Sequence, residues 1–317
     1  RFAVDFWGYY NGATSNTAYL KDTNGDNIED ENHFASSLAA TWSLQGITYP
    51  TGGSAQYTYD PDSYAFVQET AVDGICQTVQ ASPLLKKCSS NGSSCTIDAD
   101  CADVKSGGGL RVATMTLKPG SGQPDVVTQY FYDSLGTGAG TSTGVSTFDP
   151  VFTNSYRGYS SAFGDIGAHE KVYTAYTLVT TKVSGAGSTE TTFWTANDSG
   201  LTDPADYDHV IRGSGVRQTS WDWKRGLVKA VNQKNSSDVS LASTAYTYEW
   251  STVNKTAFVD NANDAPPSCI GAVCSWDVKI DAPLREIHSG WVKQTNVSST
   301  VDGVTRTQAL VYNAKNG

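Results

Sequence analysis

Residues 109–132 read GLRVATMTL, then KPGSGQP, then DVVTQYFY. Strand-forming residues fill residues 109–117 and again 125–132, while Gly, Pro and Ser crowd the seven positions between them. Two such runs flanking a turn-forming segment predict an antiparallel β-hairpin. The turn chemistry carries the reading, because Pro and Gly supply backbone angles that a continuing strand cannot use.

The same pattern recurs outward from there. Residues 171–183 (KVYTAYTLVTTKV) turn at Ser184-Gly185-Ala186-Gly187 and return through 188–195 (STETTFWT). Residues 226–234 turn at 235–238 and return through 239–250, and residues 290–298 turn at Val301-Asp302-Gly303 and return through 304–312. Near the start, residues 47–53 (ITYPTGG) form a strand entering a tight turn, with 56–59 (QYTY) as the return. One helix is expected, over Asn32 to Gln45, where Phe34, Leu38 and Trp42 fall on one stripe, Asn32 caps and Gly46 stops. The predicted fold is all-β, an extended antiparallel sheet of stacked β-hairpins with one short helix near the N-terminus. The low-complexity tract Gly136 to Thr147 is the best boundary, separating a unit over 1–135 from a second over 148–317.

A weak repeat underlies these hairpins. Gly109-Leu110-Arg111-Val112, Gly226-Leu227-Val228 and Gly290-Trp291-Val292 each open a strand, and the partner strands end in Tyr130-Phe131-Tyr132, Tyr246-Thr247-Tyr248 and Leu310-Val311-Tyr312. Side chains two apart share a strand face, so paired rings are offered to a neighbour.

Composition agrees with strands and excludes several functions. Lys and Arg number 22 against 32 Asp and Glu, a net charge of -10. Without a basic surplus the chain cannot displace counterions from phosphate, so nucleic acid is not expected as a partner. No segment reaches the ~20 apolar residues that a membrane-spanning helix needs, so membrane insertion is not expected either. The chain opens on a strand-like run at Arg1-Phe2-Ala3-Val4 without a signal peptide. This predicts a mature product or a cut fragment whose export signal was removed upstream.

The cysteines also point outside the cell. Cys76, Cys88, Cys95, Cys101, Cys269 and Cys274 form two clusters among turn residues, an even number that predicts disulfides in an oxidising compartment. Zinc is the competing use, but the spacings Cys88-x6-Cys95-x5-Cys101 and Cys269-x4-Cys274, without a His in either cluster, fit it poorly. Cys269 is expected to pair with Cys274 and the other four among themselves, in a connectivity that sequence cannot choose.

Few residues invite chemistry. Asp22, Asn24, Asp26 and Asp30 place oxygen ligands at positions 1, 3, 5 and 9 of a loop, a pattern suited to calcium. The loop departs from the EF-hand, since Gly25 stands at position 4 and His33 at position 12. The plain reading is an acidic turn that leads into the helix. No cofactor is required by any other feature. Gly140-Thr141-Ser142-Thr143-Gly144 matches a nucleophile elbow in letters, but that motif works only between a strand and a helix, and no helix is expected after it. His33, His169, His209 and His288 are scattered without motif partners. No catalytic residue is expected.

Three blocks carry a family resemblance: Asp5 to Gly12 (DFWGYYNG), Leu44 to Gly53 (LQGITYPTGG) with Tyr57-Thr58-Tyr59-Asp60, and Gly108 to Val112 (GGLRV). Tyr130-Phe131-Tyr132-Asp133 repeats the Tyr-Asp pattern. Together they resemble bacterial RHS/YD-repeat proteins, most closely over the first 130 residues or so. The resemblance implies long hairpins that wrap as a continuous sheet, often into a shell around a toxic segment, with no catalytic residue in this region. The insert from Cys76 to Cys101 departs from that pattern. The expected function is therefore a non-catalytic structural segment of a secreted or surface-exposed RHS-like protein, forming shell wall or filament. Its expected partners are flanking β-repeats of the parent protein or further copies of itself. A carbohydrate-binding or adhesion module is the alternative, since 8 Trp and 17 Tyr can supply stacking platforms; a hydrolase ranks third.

Overall fold

In the computed structural model the described residues are 3, 9–14, 36–50, 52–67, 69–72, 76–81, 84–88, 94–96, 104–120, 122–147, 174–202, 221–259, 268–270, 273–275 and 284–312. The first strands are β1 (Gly46–Thr48), β2 (Ser54–Tyr64), β3 (Phe66–Val67), β4 (Thr70–Ala71), β5 (Cys76–Ala81) and β6 (Leu84–Cys88). β7 (Lys105–Lys118), β8 (Val126–Phe131), β9 (Gly144–Ser146), β10 (Thr174–Tyr176), β11 (Leu178–Val183) and β12 (Ser188–Phe193) follow. The last are β13 (Val228–Lys234), β14 (Ser240–Val259), β15 (Ser268–Ile270), β16 (Val273–Ser275), β17 (Leu284–Val301) and β18 (Val304–Ala309). Ten of them make one sheet in the order β1-β2-β7-β8-β11-β12-β13-β14-β17-β18. Every pairing in it is antiparallel, and every strand lies beside its nearest sheet neighbours in chain order.

This is the stacked-hairpin sheet that the sequence predicts. Five short connections join β1 to β2, β7 to β8, β11 to β12, β13 to β14 and β17 to β18. Because the strands alternate in direction, all five turns lie along one rim. The longer connections lie along the opposite rim and hold the smaller sheets. The turn after β17 shows the local cause. Val301 and Val304 pair directly across two residues, Asp302 and Gly303, whose φ angles are 48° and 77°. Positive φ at both positions gives the turn whose twist matches that of the flanking strands.

The pairing register sorts the side chains by face. One face carries the row Val304, Val301, Ala242, Gln233, Thr189, Thr181 and Tyr130, and the row Arg306, Ser299, Thr244, Val231, Thr191 and Val179. It continues with Val297 beside Tyr246, then Val183, Thr128, Met115 and Tyr57, then Val126, Leu117, Ala55 and Ile47. The other face reads Thr305, Thr300, Ser243, Asn232, Glu190, Thr180 and Phe131 along one row, and Thr307, Ser298, Ala245, Ala230, Thr192 and Leu178 along the next. Hydroxyl pairs lace that second face, with Thr58 against Thr114 at 2.6 Å, Thr300 against Thr305 at 2.8 Å and Ser298 against Thr307 at 3.2 Å. The first face mixes Val, Tyr, Leu and Ala side chains with Thr, Ser, Gln and Arg, and Thr244 meets Ser299 on it at 3.0 Å, whereas the second face is mainly hydroxyl-rich.

The core lies where the rim connections fold back. β10, β9, β3 and β4 form a four-stranded sheet in which β3 and β9 run parallel, and Tyr64, Ala65, Val72, Val145 and Ser146 are buried there. Thr195, Ala196 and Leu201 are buried in the next connection, whose Thr202 hydroxyl reaches Glu69 at 2.9 Å.

Two elements differ from expectation. The helix is a 3-10 segment over Ser37–Trp42, capped by Ser36 and closed at Ser43. The Thr41 hydroxyl bonds back to the Leu38 carbonyl, and Leu38 is exposed, so its side chain gives little packing to sustain an α-helix over Ser37–Trp42. The run 171–183 is split at Thr177, leaving β10 in the small sheet and β11 in the large one. Thr177 bonds to the Thr143 carbonyl through both its N–H and its hydroxyl, which turns the chain from one sheet to the other. The pairing of β8 with β11 also means that the main sheet runs past the Gly136 to Thr147 tract without a break.

Candidate functional site

A groove of about 400 Å³ opens on the hydroxyl face where β2, β7 and β8 meet the loop 132–142. β2 contributes Asp60 and Ser63, β7 contributes Arg111 and Thr114, β8 contributes Gln129 and Phe131, and the loop adds Tyr132, Asp133 and Ser142. Register shifts at Thr58/Tyr59 and Pro61/Ser63 break the β2–β7 ladder beside it. Such bulges re-aim side chains, and here they bring Asp60 opposite Arg111.

Arg111 organises the floor. Its Nη1 donates to Ser63 Oγ at 2.8 Å and to the Tyr176 hydroxyl at 3.1 Å, and Tyr176 in turn donates to Asp62 Oδ1 at 2.8 Å. The guanidinium lies over the Tyr132 ring at 5.0 Å and the Tyr176 ring at 5.5 Å, and those rings meet at 4.5 Å. Burial pushes the Asp62 carboxyl up to about 6, against the pull of the Tyr176 hydroxyl and the Arg111 charge. Burial likewise pushes the Tyr132 hydroxyl up to about 12 and the Tyr176 hydroxyl higher still. Arg111 Nε is buried without a hydrogen-bond partner.

Asp133 builds the groove wall. Its carboxylate accepts from the backbone N–H groups of Leu135, Thr137, Gly138 and Gly140, at 3.0, 3.3, 2.8 and 3.1 Å. Burial acts to raise its proton affinity, but those four donors outweigh it and hold the carboxyl below the usual range. The Gly-rich tract is therefore a loop wrapped round one carboxylate.

Chemically the groove offers two carboxylates, Asp60 and Asp133, the Ser63 and Ser142 hydroxyls at 3.1 Å from each other, and ring faces. The Ser142 hydroxyl donates to the Ser63 carbonyl at 2.9 Å and accepts from Gly144 N at 3.1 Å. β9 begins at Gly144, so a strand follows where an elbow needs a helix. The lining residues include neither His nor Cys.

The repeat seen in the sequence has a bonded counterpart. The Tyr132 hydroxyl donates to the Val112 carbonyl at 2.9 Å, and Tyr248 donates to the Val228 carbonyl at 2.8 Å, each bridging 20 residues. Tyr312 donates to the Gln294 carbonyl at 2.9 Å and Tyr59 to the Leu44 carbonyl at 2.5 Å, bridging 18 and 15 residues. In four of the five hairpins a Tyr on or just after the return strand thus bonds back to the outgoing side.

The described tryptophans are packed against lysines instead of forming an open row. Lys224 Nζ lies 3.6 Å from the Trp221 ring centre, Lys229 Nζ 4.3 Å from Trp194 and Lys293 Nζ 3.9 Å from Trp291. Trp194 meets Trp250 edge to face at 5.5 Å, and the Trp223 ring occupies the space a side chain at Gly290 would need. None of the five described Trp side chains is exposed.

Cys76 lies opposite Cys88 in the β5–β6 ladder and Cys269 opposite Cys274 in the β15–β16 ladder. Cys88 is buried, and Cys88 and Cys95 are both disulfide-bonded. Cys101 lies outside the described residues, as do Asp22, Asn24, Asp26 and Asp30 of the calcium loop and His33, His169 and His209. Sequence reasoning missed the Arg111 network. The signal available was an Arg inside a strand opened by Gly107-Gly108-Gly109, facing the Tyr-Asp pair at Tyr59-Asp60. The chain matches no family model, no curated protein and no solved structure.

Proposed function

We propose that the chain is a non-catalytic structural β-sheet segment of an exported RHS-like protein, serving as a length of shell wall or surface filament. The observation that carries this reading is the Tyr staple, which recurs in four of the five hairpins at a similar place in each. A device repeated along a sheet, with neighbours added in chain order, suits a wall that grows one hairpin at a time. Trp rings packed under lysines support structure over sugar stacking. A groove whose serine is already hydrogen-bonded to its own chain supports structure over hydrolysis.

Export follows from the cysteines. In this reading Cys76 pairs with Cys88 and Cys269 with Cys274, as the opposed ladder positions favour, which leaves Cys95 and Cys101 to each other. The acidic loop at Asp22, Asn24, Asp26 and Asp30 is read in the same way as a calcium site, on the spacing of its oxygen ligands.

The test is to express the parent reading frame and image it by electron microscopy. The reading expects further hairpins with the Gly-x-x-Val and Tyr-x-Tyr pattern and a sheet that continues beyond these ten strands. A parent without such hairpins, or turnover of ester or glycoside substrates that disappears in Arg111→Ala, would falsify it.

A further inference from the structure

We propose that the outer edge of β18 is a pairing edge, on which β18 of a second copy of this chain lies antiparallel and joins the two main sheets across a two-fold axis. The proposal goes beyond the structural reading above and does not depend on it. Within the sheet every other return strand is covered by the strand that follows it: β2 by β7, β8 by β11, β12 by β13 and β14 by β17. β18 is the return strand at the end of the sheet, and all six of its residues are exposed. Its pairing phase fixes which backbone groups are open. The Leu310 N–H donates to the Thr295 carbonyl at 2.8 Å, and in an antiparallel ladder every second residue bonds to the same neighbour. Val304, Arg306, Gln308 and Leu310 therefore bond to β17, while Thr305, Thr307 and Ala309 turn both N–H and C=O away from it.

The two ends of the sheet differ in how they are guarded. β1, at the other end, has three residues and runs toward Pro50, and short edges beside proline resist pairing. β18 has no proline, and its register with β17 runs unbroken from Val301 and Val304 to Asn296 and Ala309, without a bulge. Arg306 is its one charged residue. That charge and the open groups favour the same strand of a second copy as the occupant. Open backbone groups must face open groups, so Thr305, Thr307 and Ala309 must meet an equivalent set. With the two-fold axis at Thr307, each Thr305 faces Ala309 of the second copy and the two Thr307 residues face each other. Arg306 then falls opposite Gln308, and Val304, which is 65 % exposed, opposite Leu310. Moving the axis to Arg306 would set two guanidinium groups opposite one another, which like-charge repulsion disfavours. The strand is thus complementary to itself in one register, the condition for a two-fold contact between identical chains.

The test is sedimentation velocity on the 317-residue chain at low salt, with variants checked for native circular dichroism. Thr307→Pro removes an N–H that β17 does not use, and it should weaken dimerisation at least roughly tenfold, because the axis repeats the loss in both strands. Gln308→Glu and Gln308→Arg change one exposed side chain, so folding is not at stake. Opposite Arg306 of the second copy, Glu should tighten the dimer and Arg should loosen it, each by about fivefold over two symmetric contacts. The native chain should show a monomer–dimer equilibrium by ~50 μM, as suits a small edge contact. A native chain still monomeric at ~200 μM overturns the proposal. So does a Thr307→Pro variant that associates like the native chain, equal affinity in the two Gln308 variants, or growth past the dimer, since each puts the contact elsewhere. None of these results touches the structural reading, which stands or falls on the parent protein and on turnover.

Discussion

Asp62 gives the sharpest prediction, because its protonation is tied to one bonded network. Its carboxyl is pushed up to about 6 from an ordinary value of 3.8. Since the folded value lies above the unfolded one, the folded state holds this proton more tightly. The associated stability is fully present below about pH 4 and is lost as pH rises through about 6. A shift of roughly two units corresponds to about 2 to 3 kcal/mol between those limits. Asp62→Asn keeps the acceptor for the Tyr176 hydroxyl and removes the titration. Urea unfolding followed by Trp fluorescence, at pH 4 and pH 8, measures the loss for each protein. The native chain should lose about 2 to 3 kcal/mol more than the variant across that interval. Other carboxylates titrate in both proteins and cancel in the difference. If the two losses agree within about 0.5 kcal/mol, burial of Asp62 does not act as described.

Four further outcomes are expected, three from the geometry and one from the spacing of the acidic loop. Tyr132→Phe and Tyr248→Phe should each cost about 1 kcal/mol in the same unfolding assay, with Tyr59→Phe and Tyr312→Phe costing less because those bonds are exposed. Asp133→Ala strips the acceptor from four N–H groups and should cost about 3 kcal/mol. The contribution of Asp133 fades as pH falls, opposite in sign to Asp62, and a pH series on both variants reads this directly. Gly290→Val forces the Trp223 ring off the sheet and should lower stability by about 2 kcal/mol, with a shift in Trp emission. Calcium added in a calorimeter should release or absorb heat that is absent from an Asp26→Ala, Asp30→Ala double variant; a flat titration of the native chain removes calcium from the account.

The hairpins were legible because each rests on signals a few residues apart. Lys118 to Pro124 and Val301-Asp302-Gly303 mark their turns by residue type, and the flanking runs are long enough to show their character. The small sheet was not legible. β3 and β4 have two residues each and β9 and β10 three, too short for any period to appear, and β3 finds β9 in parallel from far along the chain. The helix was over-read for a related reason. The spacing of Phe34, Leu38 and Trp42 fits an α-helix, but spacing cannot report that Leu38 would have little to pack against. The candidate site was hidden by distance: Tyr176 and Asp62 are bonded across 114 positions, and only the folded sheet makes them neighbours.

The order of strands in the main sheet has a consequence for how the molecule is made. Within the main sheet each hairpin pairs with the one synthesised just before it, so the hairpins can join the sheet in the order they are made. A chain of this kind can fold from the ribosome outward, each completed hairpin offering a template edge to the next. Its stability then resembles that of a linear array, in which the links between successive units add up and a weak link divides the array at that point. The β12–β13 and β14–β17 connections, at 194–227 and 260–283, enter this sheet from one rim only. Insertions can therefore accumulate along that rim over evolutionary time while the tight-turn rim keeps the hairpins in step.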